Sequence, residues 1–322
     1  MKALSTMQKS LKIMLVLLLI AVMAAVVLGG LFVRSRWNAR QERIAENERI
    51  ENMVAEEIQI TFLPGRSMFA HRRMLMERGF EAAEIDAAFR ANYDVMARLG
   101  RPTTLGPRVT TEHIIGARDL INDSMVSIEG FLFPETINFF ANTSVQNIVN
   151  RMALELERAV QREGLVAAFA EHNLSFYEGL ILASIVEGEV DVRDPDAARV
   201  AAVFHNRLRH NWALGADISS LYAANLMGVA TQHEDGSPNH AILQLCSPWN
   251  TRSYECGRGL PPTPINSPSL AALRITANPA PQSLGRDFYF LTGDSGRKYF
   301  ARTLPEHQRN IREHCRVRCQ NW

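Results

Sequence analysis

From Ile13 to Val33 the chain runs through 21 residues without a charged side chain, the length a helix needs to cross a bilayer core. The run exceeds an ordinary signal-peptide hydrophobic region and no small-x-small site closes it. It therefore predicts a retained transmembrane helix over 13–33, preceded by a short cytoplasmic N-terminus, 1–12, with a cleaved signal as the alternative reading. The pattern then changes to charge-rich sequence in which Ile44, Ile50 and Val54 recur at near-helical spacing, so 34–57 reads as a helical stalk. Strict alternation over Ile58–Phe62 predicts a strand that runs into a turn at Leu63-Pro64-Gly65. Helical periodicity resumes over Ser67–Gly79 and again over Ala82–Leu99, which makes 58–118 a small α+β module closed by the breakers around Gly106-Pro107.

Beyond it, Ser144 is placed to cap a helix through Ile148, Met152, Leu156, Val160 and Leu165. A second helix is predicted from Ser175, with Glu178 three residues on as a capping box, to Glu189. Its Leu180, Ile181, Leu182, Ala183, Ile185 and Val186 leave almost no polar face, so it is expected to be buried on most sides. Asp194-Pro195-Asp196 reads as a helix start with Pro at the first helical position, leading through Val200, Val203, Phe204 and Leu208. Ser267-Pro268-Ser269 starts a short helix over Leu270–Ala277. Strands at Asp287–Leu291 and Lys298–Arg302 flank a hairpin turn at Gly293–Gly296. The fold class is thus α+β: a transmembrane helix, a small module, and a mainly helical domain over 119–322 with a small antiparallel sheet.

Composition changes this picture little. A formal net charge of +1, with 21% charged and 47% hydrophobic residues, fits a folded domain and gives no electrostatic case for a nucleic-acid partner. Lysines precede the apolar run and arginines come after it, so the positive-inside rule does not orient it. Because long domains cross largely regardless of charge, the expected placement is single-pass in the cytoplasmic (inner) membrane, with the bulk of the chain on the extracytoplasmic, periplasmic side. Cys246, Cys256, Cys315 and Cys319 are even in number and permit two disulfides, nearest-neighbour pairing being the simplest of three connectivities. None of the nine His residues forms an HExxH pair, and no metal or other cofactor is expected.

The candidate chemistry lies at the end of the central helix. Glu187 and Glu189 close an apolar run at a helix C-terminus, where burial and the helix dipole both keep a proton on a carboxyl group. Two residues apart is about 200° around the axis, so the two cannot share one helical face. One is expected in a cleft as a general acid, the other paired with an Arg or the backbone. Glu129, in the aromatic-rich segment Ser127–Thr136, is a further candidate, although Phe131 and Phe133 read more readily as core.

The ordered series ASIVEGE, VFHNRLR, Leu214–Tyr222 with Asp217, SPWNT at Ser247–Thr251 and GLPPTPI at Gly259–Ile265 resembles the endolytic murein transglycosylase family in order and spacing. The Glu129–Thr136 segment, the Asp287–Phe290 strand, and Phe300, Glu306 and His307 extend the resemblance over most of residues 119–312. The anchor and the 58–118 module are similar in layout only, where the family carries a lysin-motif-like domain. The resemblance implies non-hydrolytic cleavage of the β-1,4 bond between N-acetylmuramic acid and N-acetylglucosamine, leaving a 1,6-anhydro end and terminating glycan-strand elongation. It puts the catalytic acid on Glu189, with Glu187 as fallback, and makes Glu129, Asp217, Asn250 and Thr251 candidates for holding the sugar. Peptidoglycan strands, the cytoplasmic membrane and a peptidoglycan synthase are the implied partners. Departures at Gly188, expected to loosen the helix end, and at Ser267, Ser269, Asn278 and Lys298 bear on substrate binding, and the cysteines look peculiar to this chain. The alternatives are a non-catalytic peptidoglycan-binding scaffold and a muramidase with two carboxylates, Glu189 with Glu187 or Asp217.

Overall fold

The computed structural model describes Met23 and residues 28–44, 57–117 and 128–319. It comprises two compact units, residues 1–57 and 58–322. In the first, residues 28–44 form a largely exposed helix, α1. Here the expectation of a transmembrane helix is corrected: among the described residues no helix is long and apolar enough to cross a membrane. The apolar residues 28–33 give way within α1 to Arg34, Arg36, Arg40, Glu42 and Arg43, and Met23 apart, the rest of 13–33 lies outside the described residues. The single-pass placement in the inner membrane falls with it.

Strand β1 (Glu57–Thr61), all but its first residue in the second unit, pairs with β2 (Thr136–Phe140). Gln59 donates to Asn138 and the hydroxyls of Thr61 and Thr136 meet at 2.9 Å. One number falls as the other rises, so the pairing runs antiparallel and ties the 58–118 segment to the helical region C-terminal to it. Helix α2 (Met68–Glu77) matches the expected helix, but its N-cap Ser67 makes no side-chain cap bond. Glu129 supplies it from 61 residues away, accepting from the Met68 N–H at 2.9 and 3.1 Å. The helix expected over 82–99 is two, α3 (Ala82–Arg90) and α4 (Asp94–Arg98), because Ala91 and Tyr93 are extended between them.

Helix α5 (Val145–Arg162) starts at Ser144, whose hydroxyl accepts from the Asn147 N–H. Gly164, left-handed at φ 63°, breaks it from α6 (Leu165–Ala170), a separation that periodicity alone does not register. At the centre is α7 (Phe176–Glu189), with the expected Ser175/Glu178 capping box and a fully buried middle. It packs against α6, α8 (Ala197–Arg209), α9 (Asp217–Met227) and α10 (Leu270–Ala277). The start of α8 differs from expectation: Asp196 is the N-cap, and Asp194 folds its carboxylate onto the Asp196 N–H at 2.8 Å.

Three consecutive polar residues of α8 then hold the remainder in place. His205 bonds the Thr276 carbonyl, Asn206 donates to the Ser283 and Asp287 carbonyls and accepts from Gly285, and Arg207 donates to the Phe288 carbonyl. Each buried group thus has partners, as burial of polar atoms requires. These bonds fix the entry to an antiparallel hairpin, β3 (Tyr289–Thr292) and β4 (Lys298–Ala301), in which Phe290 faces Phe300. Helix α11 (Leu304–His314), with a Thr303/Glu306 capping box, covers both strands. Phe131 and Phe133 are core. Both disulfides have nearest-neighbour pairing, Cys246–Cys256 and Cys315–Cys319.

Candidate active site

The two glutamates at the end of α7 diverge as their spacing requires. Glu187 turns toward α10, where its carboxylate accepts from the Ser269 N–H at 2.9 Å and the Ser269 hydroxyl at 2.6 Å. Ser269 itself caps α10 by accepting from Ala272. Glu187 is thereby committed to holding a helix start, and Ser269, a departure from the family pattern, is the residue that holds it.

Glu189 turns the other way, half-buried, toward the first turn of α9. Burial, and then the Asp217 carboxylate, push its carboxyl up from 4.5 to about 7. The backbone N–H groups of Ile218 and Asp217 and the charge of Arg207 pull against that rise. A carboxyl group poised near neutrality can give a proton and take one back at the same pH. Gly188 between the two glutamates does not loosen the helix end. A Cβ there would sit 2.9 Å from the Ile218 methyl, so the missing side chain is the space into which α9 packs.

The start of α9 is itself built by the SPWNT segment. Thr251 accepts from the Ala216 N–H at 3.0 Å, shares a 2.8 Å contact with the Ser219 hydroxyl, and through its carbonyl takes the Gly215 N–H. Asn250 accepts from Ser220 and donates to the carbonyls of Leu243 and Leu245. Both side chains are fully buried, so they position the α9 turn and do not line a cavity. Asp217 stands at the first position of α9 instead of on a loop, and it forms an ion pair with Arg252.

Glu189 opens into a cleft of about 610 Å³ whose floor is Asp217 and Gly215, and whose far wall is β3 and α11. Arg207 crosses this cleft with its guanidinium held by the Phe288 and Leu214 carbonyls. His307 of α11 stacks on Tyr289 at 5.1 Å; burial and the nearby Arg207 hold the imidazole pKa below its ordinary value, and among the described residues its Nδ1 has no hydrogen-bond partner. The rim is completed by Arg252 and by Arg318 and Cys319 of the C-terminal turn. Among the described residues no group of His, Cys, Asp or Glu is arranged to hold a metal ion.

Of the residues singled out in the sequence, Glu189 and Asp217 meet in this cleft, whereas Glu187, Asn250 and Thr251 support it from behind. Glu129 is elsewhere: buried beneath α2, next to Tyr222, with burial pushing it up to about 8. The proline-rich segment lies behind α7, where the Ile265 N–H and the Asn266 amide bond the Ser184 hydroxyl and carbonyl. Arg207 and His307 lie in segments that carry the family resemblance but are given no role by the sequence, and Arg252 and Arg318 stand outside the residues it singles out. Arg207 carried a signal, a cation set between Phe204 and Leu208 on a core helix. Arg318 carried none beyond its place inside the Cys315–Cys319 spacing.

A family model described as the YceG-like family matches residues 38–313. A Streptococcus pneumoniae protein named endolytic murein transglycosylase is 30% identical over 189 residues, 58% of this chain and 32% of that one. A Bacillus subtilis protein of the same name is 30% identical over 183 residues, 56% of this chain and 46% of its own length. The chain thus spans less than half the length of these relatives. A crystal structure of a YceG-like protein from Listeria monocytogenes shares the fold, with a TM-score of 0.59 at 22% identity over 83% of this chain and 80% of that one.

Proposed function

The chain belongs to the YceG-like family, and from that premise we propose that it is an endolytic murein transglycosylase whose acid and base are one residue, Glu189. The observation that carries this reading is the half-buried Glu189 carboxyl, raised to about 7, which faces a cleft it shares with Asp217. In the first half of the reaction Glu189, protonated, gives its proton to the oxygen between N-acetylmuramic acid and N-acetylglucosamine as positive charge develops at C1. In the second, its carboxylate takes the proton of the muramic C6 hydroxyl, which bonds to C1 and closes the 1,6-anhydro ring. The proton that left is recovered, so no second carboxylic acid and no cofactor enter. The N–H groups of Asp217 and Ile218 and the charge of Arg207 oppose the rise and so steady the carboxylate between the halves. Asp217, paired with Arg252, supplies negative charge beside the developing cation.

Mass spectrometry of glycan fragments released from purified peptidoglycan tests the proposal. We expect 1,6-anhydromuramic ends from the native chain and none from Glu189→Gln. Reducing ends in place of anhydro ends would make the protein a muramidase. Equal product from both chains would move the acid elsewhere, and no product from either would favour a binding scaffold.

A further inference from the structure

The turn that follows α11 is fixed by a disulfide and by a set of bonds from the β3–β4 hairpin. Cys315 and Cys319 close a five-residue ring, and the Cys315 N–H bonds back to Ile311 on α11. The Asp294 carboxylate, from the β3–β4 hairpin, gathers the N–H groups of Arg316, Val317 and Arg318 at 2.7 to 3.2 Å. The hairpin and the ring are joined again where the Asp294 N–H donates to the His314 carbonyl. Such a ring has few backbone conformations, so a side chain mounted on it starts from a fixed Cα.

The residue so mounted is Arg318. This residue lines the Glu189 cleft and also a second, more apolar cavity of about 350 Å³ formed by Leu221, Ile242 and Leu243, and the two cavities share Asp217 and Arg318. A ligand longer than one cavity therefore passes the guanidinium. The other cations of the cleft are engaged: Arg252 by Asp217, and Arg207 by two carbonyls. The Arg318 guanidinium makes no hydrogen bond or ion pair among the described residues. Asp294 feels its charge but spends its oxygens on the backbone N–H groups. An arginine left without an acceptor at the junction of two cavities, on a covalently closed mount, fits a planar two-oxygen anion.

We propose that Arg318, held by the Cys315–Cys319 ring, binds a carboxylate carried by the muramyl sugar of a strand lying across both cavities. This rests on the reading that the cleft takes a peptidoglycan glycan. The carboxylate is either the lactyl group or one on the stem peptide joined to it. A strand whose carboxylates are masked loses the contact, so the ring makes this cleft selective for acidic muramyl strands.

Binding separates this inference from the chemistry. The 322-residue chain carrying Glu189→Gln, with and without Arg318→Ala, is titrated by calorimetry with three soluble glycan oligomers. One bears stem peptides, one is stripped to free lactyl carboxylates, and one is stripped and amidated. Loss of one charge-assisted contact is expected to weaken Kd roughly 10-fold or more for a carboxylate-bearing oligomer, and to leave the amidated one unchanged. A loss confined to the stem-bearing oligomer assigns the carboxylate to the peptide, and an equal loss on the stripped one assigns it to the lactyl group. Cys315→Ser with Cys319→Ser is expected to reproduce the loss, with no further loss on adding Arg318→Ala and with Tm little changed. Equal affinities with and without Arg318, or an equal loss on the amidated oligomer, would overturn the proposal. If the chain with Glu189→Gln alone binds none of the three, the cleft is not a glycan site, and this inference falls with that reading.

Discussion

At the residue scale, two glutamates two positions apart do opposite work because helical geometry turns them to opposite sides. Glu189 faces the cleft with a value near 7, so its protonated fraction falls as pH rises through neutrality. If it must first give a proton, kcat/KM descends above about pH 7, and Glu189→Gln costs at least ~100-fold in kcat. Glu187 spends its carboxylate on the start of α10. Truncating it to Ala removes that anchor and is expected to lower stability by about 1–2 kcal/mol, as loss of a cap does, in urea unfolding. Turnover at saturating substrate then changes less than a few-fold at temperatures where the variant is folded. A Glu187→Ala chain as stable as the native one, or one inactive while folded, would reverse the assignment of the two roles.

At the scale of elements, the contact that shapes the cleft is α7 against α9, and it depends on an absent side chain. Gly188 lets Ile218 close onto the end of α7, which brings the first N–H groups of α9 to Glu189. Gly188→Lys is expected to push α9 away, lowering kcat more than 10-fold and stability by about 1–3 kcal/mol, the range for overpacking. Adding Ile218→Ala restores part of both, because it vacates the space the lysine stem needs. Additive losses in the double variant would show that the two residues do not share that space. The elements themselves were legible where periodicity and caps agree: Ser144, Ser175 and Ser269 each start the helix their position announces. Elements were misread where one residue redirects the backbone, as at Ala91 and Gly164. Of the residues that line the candidate cleft, Glu189 and Asp217 were legible, as carboxylates at the end of one helix and the start of another. The role of Asn250 and Thr251 was not legible, since a buried hydrogen-bonding side chain that organises a turn looks the same in sequence as one that binds a sugar. Arg318 reaches the cleft through long-range bonds to Asp294, which leave no mark on local pattern.

At the scale of the molecule, buried ionisable groups set how stability varies with pH, and two sets oppose one another. Burial pushes Glu129 up to about 8, Glu189 rising to about 7, and holds His71 and His205 down at about 4. Between about pH 4.5 and 6.5 the folded chain keeps the two glutamate protons that an unfolded chain has released, which makes stability fall as pH rises. In the same window the unfolded chain holds histidine protons that the folded chain lacks, those of His71 and His205 and in part those of His172 and His307, which makes it rise and opposes the glutamates. Above about pH 6.5 the unfolded chain sheds its remaining histidine protons within about a unit, and the glutamates come to dominate. Stability then declines through pH 8, where Glu129 is half ionised, at up to about 1.4 kcal/mol per pH unit for each proton concerned. Glu129 caps α2 from the segment before β2, so its ionisation charges the joint between the β1–α4 region and the helices around α7. Glu129→Gln keeps an oxygen for the Met68 N–H and removes the titration. It is expected to flatten the decline between pH 7 and 8 while leaving stability at pH 6 within about 1 kcal/mol. Urea midpoints at half-unit steps from pH 5 to 8.5 measure both curves. A native curve that holds or rises from pH 6.5 to 8, or a Glu129→Gln curve parallel to it, would mean that Glu129 is ionised in the folded chain at neutrality and that the cap is a charged one.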